Sequence, residues 1–182
     1  MSIDNISRSV QASNLTIRGA RKGRGAASNQ TGRYERYTEV AFDDGWGSLD
    51  EPLDKLKTII EADRSRTIIT RNDSPDLGFD RSINPYRGCE HGCAYCYARP
   101  THAFLGLSAG QDFESRIFAK HDAPGQLARE LSKPGYKPRM IALGTNTDPY
   151  QPAERRLELT RNILLVLSEF NHPVGIVTKS FC

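Results

Sequence analysis

From Ser82 to the end of the chain, short continuous apolar runs alternate with stretches whose apolar residues recur at helical spacing. The runs predict strands at Ser82–Asn84, Ser115–Lys120, Arg139–Gly144 and Val174–Thr178. Uninterrupted apolar character suits strands covered on both faces. Helices are predicted at Ala98–Leu107, at Pro124–Ser132 with Pro in the first turn, and at Ala153–Phe170. In the last of these, Leu159, Ile163, Val166, Leu167 and Phe170 form a broad apolar face. Upstream, Leu53, Leu56, Ile59 and Ile60 are spaced as on one face of a short helix after Pro52, and Arg66–Arg71 reads as a strand. The βαβα order predicts an α/β fold with a parallel sheet. The chain closes at Thr178-Lys179-Ser180-Phe181-Cys182, where a strand would feed another helix. The expectation is therefore half of a barrel, the rest supplied by a partner or missing by truncation.

The first 37 residues carry none of this periodicity. They hold seven basic and two acidic residues, with Gly19, Gly23, Gly25 and Gly32 among them. They read as a basic, disordered arm that could touch nucleic acid or simply be solvated. Residues 38–63 turn acidic. Three divisions are expected: the arm (1–37), an N-terminal extension (38–80) and the α/β domain (81–182). The 37% hydrophobic content and mean hydropathy of −0.56 agree with a loose portion. The longest apolar run, Ile163–Leu167, is too short to span a bilayer, and Met1–Val10 lacks a signal-peptide core, so a cytoplasmic protein without membrane association is expected.

The chemistry concentrates in Cys89-x3-Cys93-x2-Cys96, while the fourth cysteine, Cys182, lies alone at the end. Clustered thiols in a chain without export features read as metal or cofactor ligands rather than a disulfide framework. Three thiolates on a glycine-containing loop can take three corners of a [4Fe–4S] cube, leaving one iron open for an amino group and a carboxylate, both of which S-adenosylmethionine offers. Completed by His91, the same thiols could instead hold zinc, although a second Cys-x2-Cys knuckle is missing from the sequence.

The string Asn84-Pro85-Tyr86-Arg87-Gly88-Cys89 through Tyr95-Cys96-Tyr97 resembles the radical SAM superfamily. With Ala98–His102, Gly144–Glu154 and Val177–Ser180, the wider pattern is similar to the branch related to spore photoproduct lyase, including its uncharacterised members, over about residues 28–180. The resemblance implies the N-terminal part of a partial (β/α)6 barrel behind an extended, partly disordered segment. It implies that Cys89, Cys93 and Cys96 hold a [4Fe–4S] cluster and that S-adenosylmethionine is cleaved reductively to a 5′-deoxyadenosyl radical. Tyr95 would lie beside the adenine and Tyr97 would relay the radical. Lys179 matches a lysine that meets the S-adenosylmethionine carboxylate. The Gly-Gly-Glu type of motif that contacts the amine is missing, and Gly144, Thr145, Asn146, Thr147 and Asp148 stand in its place. A flavodoxin or ferredoxin would supply electrons, and nucleic acid is the candidate substrate class. The lyase's hydrogen-donating cysteine has no counterpart here, which separates this chain from thymine-dimer repair.

Other readings attach to the same residues. The whole could be a zinc-binding, nucleic-acid-associated module, or an inactive truncated product. Tyr95 and Tyr97 could be core aromatics. Asp148 and Glu154 stand where they could cap the long helix or favour its N-terminus. His102, His121 and His172 read as turn or surface residues.

Overall fold

The computed structural model describes residues 23–31, 34 and 56–180. Leu53, Trp46, Cys182 and most of the basic arm lie outside them. The architecture is mixed α/β, built on two small sheets. Strands β1 (Ile59–Ala62), β2 (Thr70–Arg71), β3 (Arg81–Ile83) and β4 (Tyr86–Arg87) come first. A 3-10 helix (Arg99–Leu105), α1 (Gln111–Ser115), β5 (Arg116–Ala119), α2 (Ala123–Leu131) and β6 (Ile141–Leu143) follow. The last elements are α3 (Glu154–Leu157), α4 (Leu159–Glu169) and β7 (Val174–Ile176).

The larger sheet has the order β2-β3-β6-β7, with β3, β6 and β7 parallel and β2 antiparallel at one edge. Its three parallel strands are the expected alternation. Ile83, Ile141 and Leu143 are buried, and Leu127 and Leu131 of α2 with Ile163 and Leu167 of α4 pack against them. Each such buried side chain contributes roughly 1.5–3 kcal/mol through its transfer from water.

Strand β5 forms where the apolar run predicted it but joins a different sheet. It pairs in parallel with β1 and antiparallel with β4, in the order β1-β5-β4. The predicted helix through Ile59 and Ile60 is therefore corrected: Ile59 faces Arg116 and Ile60 faces Ile117 in the ladder. Only Ile59 and Ile60 of that spacing fall in the strand, and pairing with the backbone of β5 overrides the helical period there. Of the Arg66–Arg71 strand only Thr70–Arg71 is paired. Because β1 and β2 belong to these two sheets, residues 56–80 are continuous with the α/β body.

The predicted Ala153–Phe170 helix is broken at Glu158, which takes the left-handed conformation (φ 48°). Glu154 explains where the second segment starts. Its carboxylate accepts the Tyr86 hydroxyl and the free N–H of Arg161 in the first turn of α4 (3.1 Å). Glu154 thus caps α4 from the preceding turn. Asp148 caps neither helix; its carboxylate is used elsewhere.

His102 is fully buried, contrary to the surface reading, with its ring edge-on to Phe113 and Phe118. His172 is also buried and bonds the Tyr136 hydroxyl at 2.8 Å. Nε2 of His102 donates to the Arg116 carbonyl (2.9 Å) and Nδ1 has no partner. Burial lowers its pKa, since desolvation disfavours the imidazolium. The unfolded chain therefore binds this proton more readily, and stability present above about pH 6.5 falls as pH drops through that value. Thermal melts between pH 7.5 and 5.5 should show a declining Tm, and His102→Gln should flatten the decline; an equal slope in both proteins would contradict this. In the core, Leu127→Ala should cost about 2–5 kcal/mol in urea unfolding.

Candidate cofactor site

The residues after β3 turn sharply into the cysteine loop, and buried polar side chains brace that turn. Oδ1 of Asn84 accepts the N–H of Asn146 (2.8 Å), and its amide donates to Oγ1 of Thr145 (3.1 Å). Thr147 donates from its hydroxyl to the Tyr86 carbonyl (3.0 Å). Gln151, fully buried, accepts the N–H of Glu90 (2.9 Å) and donates to the Gly88 carbonyl (3.3 Å). Together they bind the cysteine loop to the loop that follows β6.

On its other side the cysteine loop is held by Arg99. Its guanidinium donates to the carbonyls of Gly92 (2.7 Å) and Cys93 (2.9 Å) and of Ala109 and Gly110 (3.2 and 3.1 Å). The same group pairs with the fully buried carboxylate of Glu114 at 2.5 Å. One arginine therefore satisfies carbonyls from two separate loops.

Between these braces lies a cavity of about 300 Å³. Cys89, Cys93 and Cys96 line it together with His91, Tyr95 and Tyr97, the loop Gly144–Asp148, and Val177–Lys179. All ten residues expected from the sequence at the site, namely the three cysteines, Tyr95, Tyr97, Gly144, Thr145, Asn146, Asp148 and Lys179, meet there. Tyr95 and Tyr97 are 84% and 73% exposed, which removes the core-aromatic reading. The Tyr97 hydroxyl donates to the Thr145 carbonyl. Partial desolvation around this hydroxyl, with the neighbouring Cys96 second, raises the pKa of the phenol although the ring is exposed.

Asp148 ties the third wall in place. Its carboxylate accepts the N–H of Tyr150 (2.9 Å), the hydroxyl of Thr178 (2.9 Å) and the N–H of Lys179 (2.8 Å), and lies 3.7 Å from Nε2 of His91. The side chain of Lys179 crosses the cavity mouth, with Nζ 3.0 Å from Sγ of Cys93 and 6.0 Å from the Tyr95 ring centre. The bond to Cys93 raises the lysine's pKa, so it stays an ammonium. Cys89 is the buried member of the three thiols, and burial pushes its pKa up to about 11. Gly144 is confined on two counts. Its φ is +85°, and an added Cβ would lie 2.5 Å from both Cδ of Pro149 and the Val177 carbonyl.

Three soft thiols around one cavity are ligands of the kind that thiophilic metal centres take, and the Lys179 ammonium adds a positive charge beside them. Among the described residues no three His, Cys, Asp or Glu side chains are gathered closely enough to share a single ion. Sequence reasoning singled out neither Arg99 nor Glu114, and gave Asn84 and Gln151 no role. Asn84, Arg99 and Gln151 do fall within the quoted motif segments, which was the available signal.

A 103-residue stretch is 44% identical to the uncharacterised proteins Rv2578c of Mycobacterium tuberculosis H37Rv and Mb2609c of Mycobacterium bovis, covering 57% of this chain and 30% of each relative. A 98-residue stretch is 32% identical to the uncharacterised protein MJ0683 of Methanocaldococcus jannaschii, covering 54% of this chain and 34% of that one. The chain thus spans about a third of the length of the relatives it matches. No protein-family model and no solved structure matches the chain. Among the described residues no helix is long and apolar enough to cross a membrane.

Gly144→Ala should destabilise the protein by about 2 kcal/mol or more, combining the left-handed backbone penalty with the clash. Urea unfolding measures this, and a change below about 0.5 kcal/mol would mean that the loop relaxes freely. Asp148→Ala should raise amide exchange at Lys179, whose N–H loses its acceptor, and leave α2 unaffected.

Proposed function

We propose that the chain is the cofactor-binding part of a radical SAM enzyme, with a [4Fe–4S] cluster on Cys89, Cys93 and Cys96 and S-adenosylmethionine beside it. The observation that carries the reading is the meeting of the three motif cysteines with Lys179 and residues 144–148 in one cavity. When bound, the cluster and S-adenosylmethionine supply a low-potential electron and a carbon-centred radical able to abstract hydrogen.

The protein's own part is positional. Lys179 places a fixed positive charge next to Cys93, where it offers a counter-ion to a carboxylate. Asp148 holds the backbone of Lys179 and so aims that side chain. Tyr95 presents an exposed ring beside Lys179, a surface on which a flat heterocycle can stack. Gly144, Thr145 and Asn146 form the opposite wall, and Tyr97 fixes its position through the Thr145 carbonyl while standing where a relay residue would.

The three parallel strands β3, β6 and β7 are the beginning of a partial (β/α)6 barrel in this reading. β7 lies at the sheet edge with Ile176 and Val177 41% and 56% exposed, which leaves its outer side open to pairing with a further strand. A low-potential flavodoxin or ferredoxin is the electron donor in the cytoplasm. Nucleic acid remains the proposed substrate class, on resemblance alone.

The test is anaerobic reconstitution with iron and sulfide. The wild-type chain should turn brown and absorb near 400 nm, and Cys89→Ala, Cys93→Ala and Cys96→Ala should each lose the cluster, whereas Cys182→Ala should keep it. A full cluster in any of the first three would disprove the ligand set. With dithionite, the 182-residue chain should release at most slow, substrate-uncoupled 5′-deoxyadenosine.

A further inference from the structure

We propose that residues 23–29 act as a clasp in cis that fixes the conformation of the cysteine loop. The proposal rests on the cluster reading only where it extends to the bound cofactor. The backbone N–H groups of Arg24, Gly25 and Ala26 all donate to the Glu114 carboxylate, at 2.6, 3.1 and 2.7 Å. Successive N–H groups wrapped around a carboxylate form an anion-binding nest. Here the anion is a side chain of the same protein, fully buried.

Arg24 reinforces the dock. Its guanidinium donates to the Glu114 carbonyl, to Oγ1 of Thr58 (2.6 Å) and to Glu90 (3.4 Å), a residue inside the cysteine loop. Farther along, the Ser28 carbonyl accepts the N–H of Gln111 (3.2 Å), and Asn29 exchanges two hydrogen bonds with Asp112 (2.9 and 3.0 Å). These contacts tie residues 23–31 to the α/β body, and they engage the Arg24 guanidinium with Glu114, Thr58 and Glu90.

Glu114 couples the clasp to the site. The carboxylate that receives the nest also pairs with Arg99, and Arg99 holds the Gly92 and Cys93 carbonyls. Gly25 touches the loop directly: a Cβ added there would lie 1.8 Å from the Gly92 carbonyl oxygen. None of residues 23–29 lines the thiol cavity, so the clasp acts through the loop and not on a ligand. Arg24, Gly25 and Asn29 are therefore positioning residues for the three cysteines.

The experiment uses the full chain carrying Gly25→Val, with Asn29→Ala as a milder second variant at the exposed end of the clasp. In the cofactor-free protein, iodoacetamide alkylation of Cys93 and Cys96 and amide exchange of residues 92–98 should accelerate on the order of tenfold in Gly25→Val. In Asn29→Ala the change should be smaller and in the same direction, with α2 exchange constant in both. After reconstitution, the reduced cluster of Gly25→Val should show an altered EPR line shape and a shorter lifetime in air. Loop rates equal to wild type in Gly25→Val would overturn the clasp. If that variant loses α2 protection as well, Asn29→Ala decides, and an unchanged loop there overturns it too. A wild-type chain that takes up no cluster, with loop rates that still respond, would sink the cluster reading and leave the clasp standing.

Discussion

A buried ion pair organises this molecule. Glu114 is fully enclosed and Arg99 nearly so. Burying an unpaired carboxylate would cost several kcal/mol, so the pair must be made and its remaining hydrogen-bonding capacity filled. The way it is filled creates the site. The spare donors of Arg99 take the carbonyls of Gly92 and Cys93, and the spare acceptors of Glu114 take three N–H groups from residues 24–26. A loop rich in glycine and cysteine has little apolar surface with which to order itself. Its conformation is imposed from outside by the need to leave neither charge unsatisfied.

The rest of the cavity follows the same logic with neutral groups. Gln151 and Asn84 replace backbone pairing where the chain leaves the sheet, and Asp148 does so between the loop after β6 and the residues after β7. Three segments far apart in sequence thus meet at the ends of three parallel strands, where open α/β sheets place their ligands. Lys179 is delivered to Cys93 by this bracing, with Nζ 3.0 Å from the sulfur.

Much of this is readable from the chain. The apolar runs at 116–119, 141–143 and 174–176 form strands, and Ala123–Leu131 forms a helix, because period and burial agree there. Failures occur where a distant partner decides. Ile59–Ala62 is a strand because β5 pairs with it. The long helix breaks at Glu158, and α4 restarts under a cap from Glu154, itself held by Tyr86. The docking of residues 23–31 uses mainly backbone N–H and carbonyl groups, which leave no trace in composition. The cysteine spacing pointed to the cavity, and Arg99 falls within the Ala98–His102 motif segment, but Glu114 looks like an ordinary surface charge in sequence and only its burial reveals it.

In the proposed function one cavity accepts a three-cysteine cluster and S-adenosylmethionine together. EPR of the dithionite-reduced, reconstituted chain, with and without S-adenosylmethionine, tests it directly. A [4Fe–4S]+ signal is expected whose g-values shift on addition of S-adenosylmethionine, as its amino and carboxylate groups would occupy the open iron. A reduced cluster whose spectrum ignores S-adenosylmethionine, or a colourless chain holding one zinc ion, would contradict it.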